Sequence, residues 1–224
     1  MDKQLLSLLF AGGSFPTGSF SHSWGLETYI SDNAIKNAAE LSAFLDMYIK
    51  NVIGRFEGPY FLAAYDAAGR DLSEVALLDR EFTAMKLTKE SREASKRTGK
   101  SFLRIAAGIL DNKDVIAYYD QNSGAGVNYP IAFSLVCSVL AIGRPESLKA
   151  FIFSEVNSMV QSGLKLIPLG NMQAQQVLLG SLPIIEESVR TACATELADA
   201  GVFCPGLDIA SARHETLQTR LYMS

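Results

Sequence analysis

Apolar residues recur with helical spacing along almost the whole chain, and nowhere do they alternate with a period of two between hairpin turns. That pattern restricts the fold to packed helices. The clearest stretch follows Asn37. Glu40 stands three residues on, and Leu41, Phe44, Leu45, Tyr48, Ile49, Val52, Ile53 and Phe56 follow at i, i+3, i+4 and i+7. A cap box leading into an unbroken stripe predicts a helix with one buried face. It should stop near Gly58-Pro59, with Pro59 opening a second helix that ends at Gly69. Asp71 with Glu74 starts a third, and a long charged segment from Lys86 to Arg104 runs into Ile105 and Ile109. A short helix is expected from Asp111 to Tyr119, and residues 122–126 read as a loop. Pro130 opens an apolar helix over 131–142, expected to be buried on most sides, and Pro145 opens another that Pro168 breaks. The last two helices are expected over 171–179 and 184–200, with Gly201 as the stop. The expectation is an all-α, single-domain bundle of about ten helices over residues 1–224, with a flexible C-terminal tail over about 205–224.

A chain of 224 residues buries roughly 70% of its unfolded surface in one core, so no metal or disulfide staple is required. Apolar content of 48% against 20% charged residues is rich, and predicts a large core, an extensive interface, or both. The most apolar run, 130–142, is too short to span a membrane, and the first residues do not read as a secretory leader. Three widely spaced cysteines fit a reducing cytoplasm better than a disulfide framework. A net charge of −4 argues against nucleic acid as a partner.

The segment Ser14 to Glu27 packs Pro, Gly and Ser punctuation, three aromatic side chains and one of only two histidines, His22, into a short stretch. It reads as a shaped turn feeding a helix. Catalytic patterns nearby are incomplete. Gly13-x-x-x-x-Gly18-Ser19 resembles a phosphate loop, but the lysine that would neutralise the phosphates is missing and no strand precedes it. Ser31-Asp32-Asn33, Ser162-x-x-Lys165 and Arg97-Thr98-Gly99 approximate a penicillin-binding set in the wrong order. His214-Glu215 has no second histidine at Gln218, so the helical zinc pair is absent. A His22/His214 site requires the chain ends to meet; structural histidines are the simpler reading.

Lys89, Arg92, Lys96, Lys100 and Arg104 fall on adjacent helical turns, with Glu90 and Glu93 as i, i+3 and i+4 partners. A solvated face is the simpler reading and an acidic docking surface the sharper one. At Leu164 to Asn171 a helix breaks at Pro168 and turns at Gly170, leaving Lys165 beside apolar neighbours. From Arg213 to Ser224 only Leu217 and Leu221 share helical spacing, so the core contribution of this segment is expected to be modest and its ordering to depend on another chain.

Five segments in order carry a family resemblance: Pro16 to Glu27, Ser91 to Gly99, Asn128 to Phe133, Leu166 to Gln173, and Arg213-His214-Glu215 followed by Thr219-Arg220-Leu221. Together they resemble the UreF family of urease accessory proteins nearly end to end. Asn128 departs from the pattern, since the family often has a histidine there. The resemblance implies a cytoplasmic, all-α, dimeric scaffold with no catalytic residues, no bound cofactor and no metal site of its own. It implies joining a UreD/UreH-type partner and the GTPase UreG, so that the complex delivers nickel to apo-urease; neither nucleic acid nor membrane is implied. Partner contacts are then expected at Pro16, Gly18, Phe20, Ser21, His22, Gly25 and Glu27 in the N-terminal turn, and at Arg92 and Glu93. Lys165, Pro168, Gly170 and Gln173 would face the GTPase or a second copy. Arg213, His214, Glu215, Arg220, Leu221 and Tyr222 would dock the UreD/UreH-type subunit. The rival readings are a small helical hydrolase using Ser14, Ser19 or Ser21 with His22, and a direct nickel carrier.

Overall fold

The structure, a computed structural model, describes residues 1–18, 22–218 and 220–223. Phe20 and Ser21, both expected contact residues, lie outside the described residues. Every regular element among the described residues is helical. Helix α1 (Lys3–Ala11) is capped by the Asp2 carboxylate, and α2 (Leu26–Ser31) begins after the turn that follows it. Asn37 caps α3 (Ala38–Met47) by accepting from Ala39 N and Glu40 N, while Glu40 reaches back past it to the N–H of Lys36.

The expected stop at Gly58-Pro59 does not occur. The chain passes from α3 through a π-helical segment (Tyr48–Glu57) directly into α4 (Gly58–Ala68). Proline has no N–H to return to the carbonyl of Arg55, and a wider turn absorbs that loss. Two carbonyls of the irregular segment find partners elsewhere: Gly201 N donates to Arg55 O at 3.0 Å, and Ser188 Oγ donates to Ile49 O at 3.1 Å.

Asp71 caps α5 (Leu72–Met85), Thr88 caps α6 (Lys89–Ile109), and Asn112 caps α7 (Lys113–Asn122), each through its side chain. Helix α8 (Tyr129–Val139) is buried continuously from Tyr129 to Cys137, as its composition predicted, but ends before Ile142 with Ala141 at φ 52°. It lies at the centre, against α4, α6 and α9 (Arg144–Leu166). Ser134 and Ser138 hydroxyls donate to Phe61 O and Tyr65 O, so even its polar residues serve the α4 contact. Phe61, Phe102, Tyr129, Phe133 and Phe151 form the aromatic middle of this layer.

The two helices expected over 171–179 and 184–200 are one, α10 (Asn171–Ala194), running through Pro183. Pro183 is exposed, so the carbonyl it leaves without a donor is on the solvent side. The helix ends at Ala194, before Gly201, and a 3₁₀ turn (Leu197–Asp199) follows. The segment expected to be a flexible tail carries α11 (Pro205–His214), which packs on α2 and α6. Among the described residues no helix is long and apolar enough to cross a membrane.

Candidate functional site

The two ends of the chain meet at a polar network. Its first component is the turn before α2. Gly25 caps that helix at φ 86°, and a Cβ there would stand 3.0 Å from Leu207 Cδ1, so glycine satisfies both the left-handed backbone and the close approach of α11. One residue earlier Trp24 takes φ 54°. Glu27, in the first turn of α2, is buried, and its N–H is within reach of Ser23 Oγ. Thr28 Oγ1 donates to Ala210 O at 2.9 Å, which fixes α11 across α2.

His214, the last residue of α11, is fully buried. Its Nε2 lies 2.8 Å from Glu27 Oε2 and its Nδ1 lies 2.6 Å from Glu90 Oε2. Ionised carboxylates only accept, so with both ionised both contacts are hydrogen bonds when each ring nitrogen carries a proton. Glu27 also accepts from Leu221 N at 2.7 Å and Tyr222 N at 3.2 Å, and Glu90 Oε1 accepts from Arg220 Nη1 at 3.1 Å. At the rim Arg213 makes a two-pronged pair with Asp32. The hydrogen bonds from Arg213 hold the Asp32 carboxyl below its ordinary range, and the same pairing raises the guanidinium. Lys165 Nζ lies 5.9 Å from the centre of the Tyr222 ring, which brings the end of α9 to the same place.

His22 is buried beside this network, with its ring 5.8 Å from that of Trp24. Burial, then the charges of Arg97 and His214, lower its pKa from 6.5 to about 4. The folded chain therefore keeps His22 neutral at pH values where the unfolded chain protonates it. Stability from this group is complete above pH 6.5 and is lost as pH falls towards 4, a linkage of roughly 3 kcal/mol. A His22→Gln variant should lose about 2–3 kcal/mol less than the parent between pH 7 and 4.5 in urea unfolding, and parallel pH profiles would refute this.

The structure thus brings His22, Gly25, Glu27, Lys165, Arg213, His214, Arg220, Leu221 and Tyr222 together. Glu93 and Glu215 line the open cleft beside them with Lys89 and Arg97. The others sit apart. Pro16 and Gly18 are exposed, and Pro16 O accepts from Ser101 Oγ. Arg92 donates to Lys86 O and Leu87 O, a structural tie at the end of α5. Pro168, Gly170 and Gln173 form the exposed corner between α9 and α10, where Gln173 Oε1 accepts from Gly170 N. Among the described residues of the tail, Ala210, His214 and Tyr222 are buried; Leu221, which helical spacing had paired with Leu217, is exposed. Asn128, at the departing position, is buried and ties α8 to α5 through Asp79 Oδ1 and Thr83 Oγ1.

Sequence reasoning missed Glu90, Thr28 and Asp32 as members of the network. Glu90 was read as a partner for basic residues on its own helix, yet it turns to His214 and Arg220. Among the described residues no group of three or more His, Cys, Asp or Glu has the arrangement of a metal site.

Fold and site together define an all-α protein whose C-terminal segment is tied down on its N-terminal turn. The UreF family model matches residues 35–182. The chain is 32% identical over 225 residues to the urease accessory protein UreF of Bacillus sp. (strain TB-90), covering 99% of both chains. It is 33% identical over 228 residues to the urease accessory protein UreF of Lachnoclostridium phytofermentans, covering 100% of both. The chain belongs to the UreF family of urease accessory proteins.

Proposed function

We propose that residues 1–224 work as one non-catalytic, cytoplasmic domain that assembles with other maturation proteins. As a homodimer it joins a UreD/UreH-type subunit and the GTPase UreG on apo-urease, and nickel is handled by that complex with no stable site on this chain. The full-length match to two urease accessory proteins carries this reading. The site's chemistry supports it: His214 spends both ring nitrogens on carboxylates of the same chain, while Lys165, Arg213, Glu215, Arg220 and Leu221 remain exposed around it.

Co-expression with the candidate partners, followed by size-exclusion chromatography, tests the proposal. Co-elution with both is expected, and Lys165→Ala and Arg220→Ala should weaken it and lower urease activation. A chain that elutes alone while urease is fully activated without it would defeat the reading. Robust hydrolysis of GTP, ATP or an ester, lost in His22→Ala, would favour an enzyme instead; a tight stoichiometric Ni²⁺ site in calorimetry would favour a carrier.

A further inference from the structure

The outer edge of α6 carries charge that the fold leaves unopposed. The helix turns Ala94, Thr98, Phe102 and Ala106 into the core. On its other side Lys89, Glu93, Arg97, Lys100 and Arg104 are all exposed. At 3.6 residues per turn these five fall in one stripe about 80° wide and about 22 Å long. Arg92 is not part of it, because its guanidinium is spent on Lys86 O and Leu87 O. Among the described residues none of the four cations forms an ion pair. Two glutamates of the same helix stand close enough in sequence to screen them. Glu90 turns away to His214 and Arg220, which leaves Glu93 as the one carboxylate in the stripe. Four cations and one carboxylate make this edge +3, on a chain whose net charge is −4.

Inside the chain this arrangement only costs. Arg97 and Lys100 are like charges three residues apart, Lys100 and Arg104 four apart, and such pairs weaken a helix. The same spacing makes them effective outward. Their turns are about 4.5–6 Å apart along the axis, inside the ~8 Å screening length of physiological salt, so their fields add. We infer that this edge of α6 is a docking ridge for an acidic protein face. Its carboxylates meet Lys89, Arg97, Lys100 and Arg104, and a hydrogen-bond donor meets Glu93. A nucleic-acid backbone, evenly charged along its length, would be repelled at Glu93. A ridge of exposed, flexible cations acts on encounter more than on residence, so its contribution lies in the association rate. The inference rests on the reading of this chain as an assembly subunit, the acidic face belonging to one of the maturation proteins or to apo-urease. The ridge is distinct from the tail: Lys89, Glu93 and Arg97 border the cleft beside it, whereas Lys100 and Arg104 continue along α6 beyond that cleft.

The test uses the full chain in three forms: the parent, a neutralised variant (Lys89→Gln, Arg97→Gln, Lys100→Gln and Arg104→Gln together), and a charge-keeping variant (Lys89→Arg, Arg97→Lys, Lys100→Arg and Arg104→Lys). Each is passed over immobilised UreD/UreH-type subunit, UreG and apo-urease in turn, from about 50 to about 500 mM NaCl. With the protein that carries the acidic face, the parent should associate at least ~10-fold more slowly at the high-salt end. At low salt the neutralised variant should associate at least ~10-fold more slowly than the parent, with a dissociation rate within about two-fold and a flattened salt dependence. The charge-keeping variant should match the parent. The pairs Lys89→Gln with Arg97→Gln and Lys100→Gln with Arg104→Gln should each give part of the loss, and they carry the test if the fourfold variant fails to fold. Parent and neutralised chains that associate at equal rates with all three proteins, while the complexes form, would overturn the ridge and leave the assembly reading intact. A slower association shared by the charge-keeping variant would trace the effect to side-chain shape and overturn it as well. Tighter binding of a single-stranded oligonucleotide than of a glutamate-rich peptide would reassign the edge to nucleic acid. A parent chain that binds none of the three proteins would remove both readings.

Discussion

Gly99→Ala is expected to abolish folding. Gly99 lies in the middle of α6, where that helix crosses the chain entering α8. A Cβ there would stand 2.6 Å from the carbonyl carbon of Asn128 and 2.7 Å from Tyr129 N, and would collide with Val127 O as well. All three are backbone atoms, so no rotamer change relieves the overlap. Separating α6 from α8 would undo the stack of Phe102 on Phe133 and the tie between Tyr129 N and Ser95 Oγ. Overpacking a tight core costs about 1–3 kcal/mol, and more where only backbone can yield, against the ~5–15 kcal/mol a domain has. Insoluble expression, or loss of the cooperative melt in circular dichroism, is the expected result. A variant melting within a few degrees of the parent would show that the crossing yields easily.

Lys86→Met should cost about 3–5 kcal/mol, or roughly 10 °C or more in melting temperature for a chain of this size. Lys86 Nζ sits 2.8 Å from Glu57 Oε1 with both side chains buried, and lies over the rings of Phe82 and Phe56. Removing the cation leaves Glu57 buried without its partner. It also removes the one opposing influence on Glu155, whose carboxyl is pushed well above the ordinary carboxylate range by burial first and by Glu57 second. A group raised in the folded state gives its full stability below its unfolded pKa and loses it as pH climbs towards the folded value. The damage from Lys86→Met should therefore grow with pH and shrink when Glu155→Gln is added. Pairing Lys86→Met with Glu57→Met should recover most of the loss, because an apolar pair needs no charge balance. Urea unfolding of the four corners of the cycle measures this, and additive losses would refute the coupling.

The fold was legible wherever local chemistry and packing agree. The stripe from Leu41 to Phe56 is buried where its spacing placed it, Asn37 and Asp71 cap helices as their side chains predict, and Gly69 ends α4. Prolines misled the reading at two places. Pro59 and Pro183 are helix breakers when judged by their neighbours, but no local rule shows that Gly201, far along the chain, will take up the Arg55 carbonyl, or that Pro183 will lie on the exposed side of α10. The network was legible only in part. Glu27, His214 and Arg220 lie in motifs that resemble the family, yet Glu27 and His214 are 187 positions apart and their contact has no periodicity to announce it. Glu90 was hidden by a plausible local alternative, since a glutamate among lysines on one helix already has a role.

The irregular turns between Tyr48 and Glu57 let one continuous rod serve two layers. In an under-wound turn each side chain advances by a smaller angle than in a regular helix. The stripe that faces α10 along α3 is thereby re-aimed, so that by α4 the rod lies against α8 and α5. A substitution that restored ordinary winding, such as Pro59→Ala, would turn the downstream half of the rod like a mis-cut key, with its ridges presented to the wrong wards.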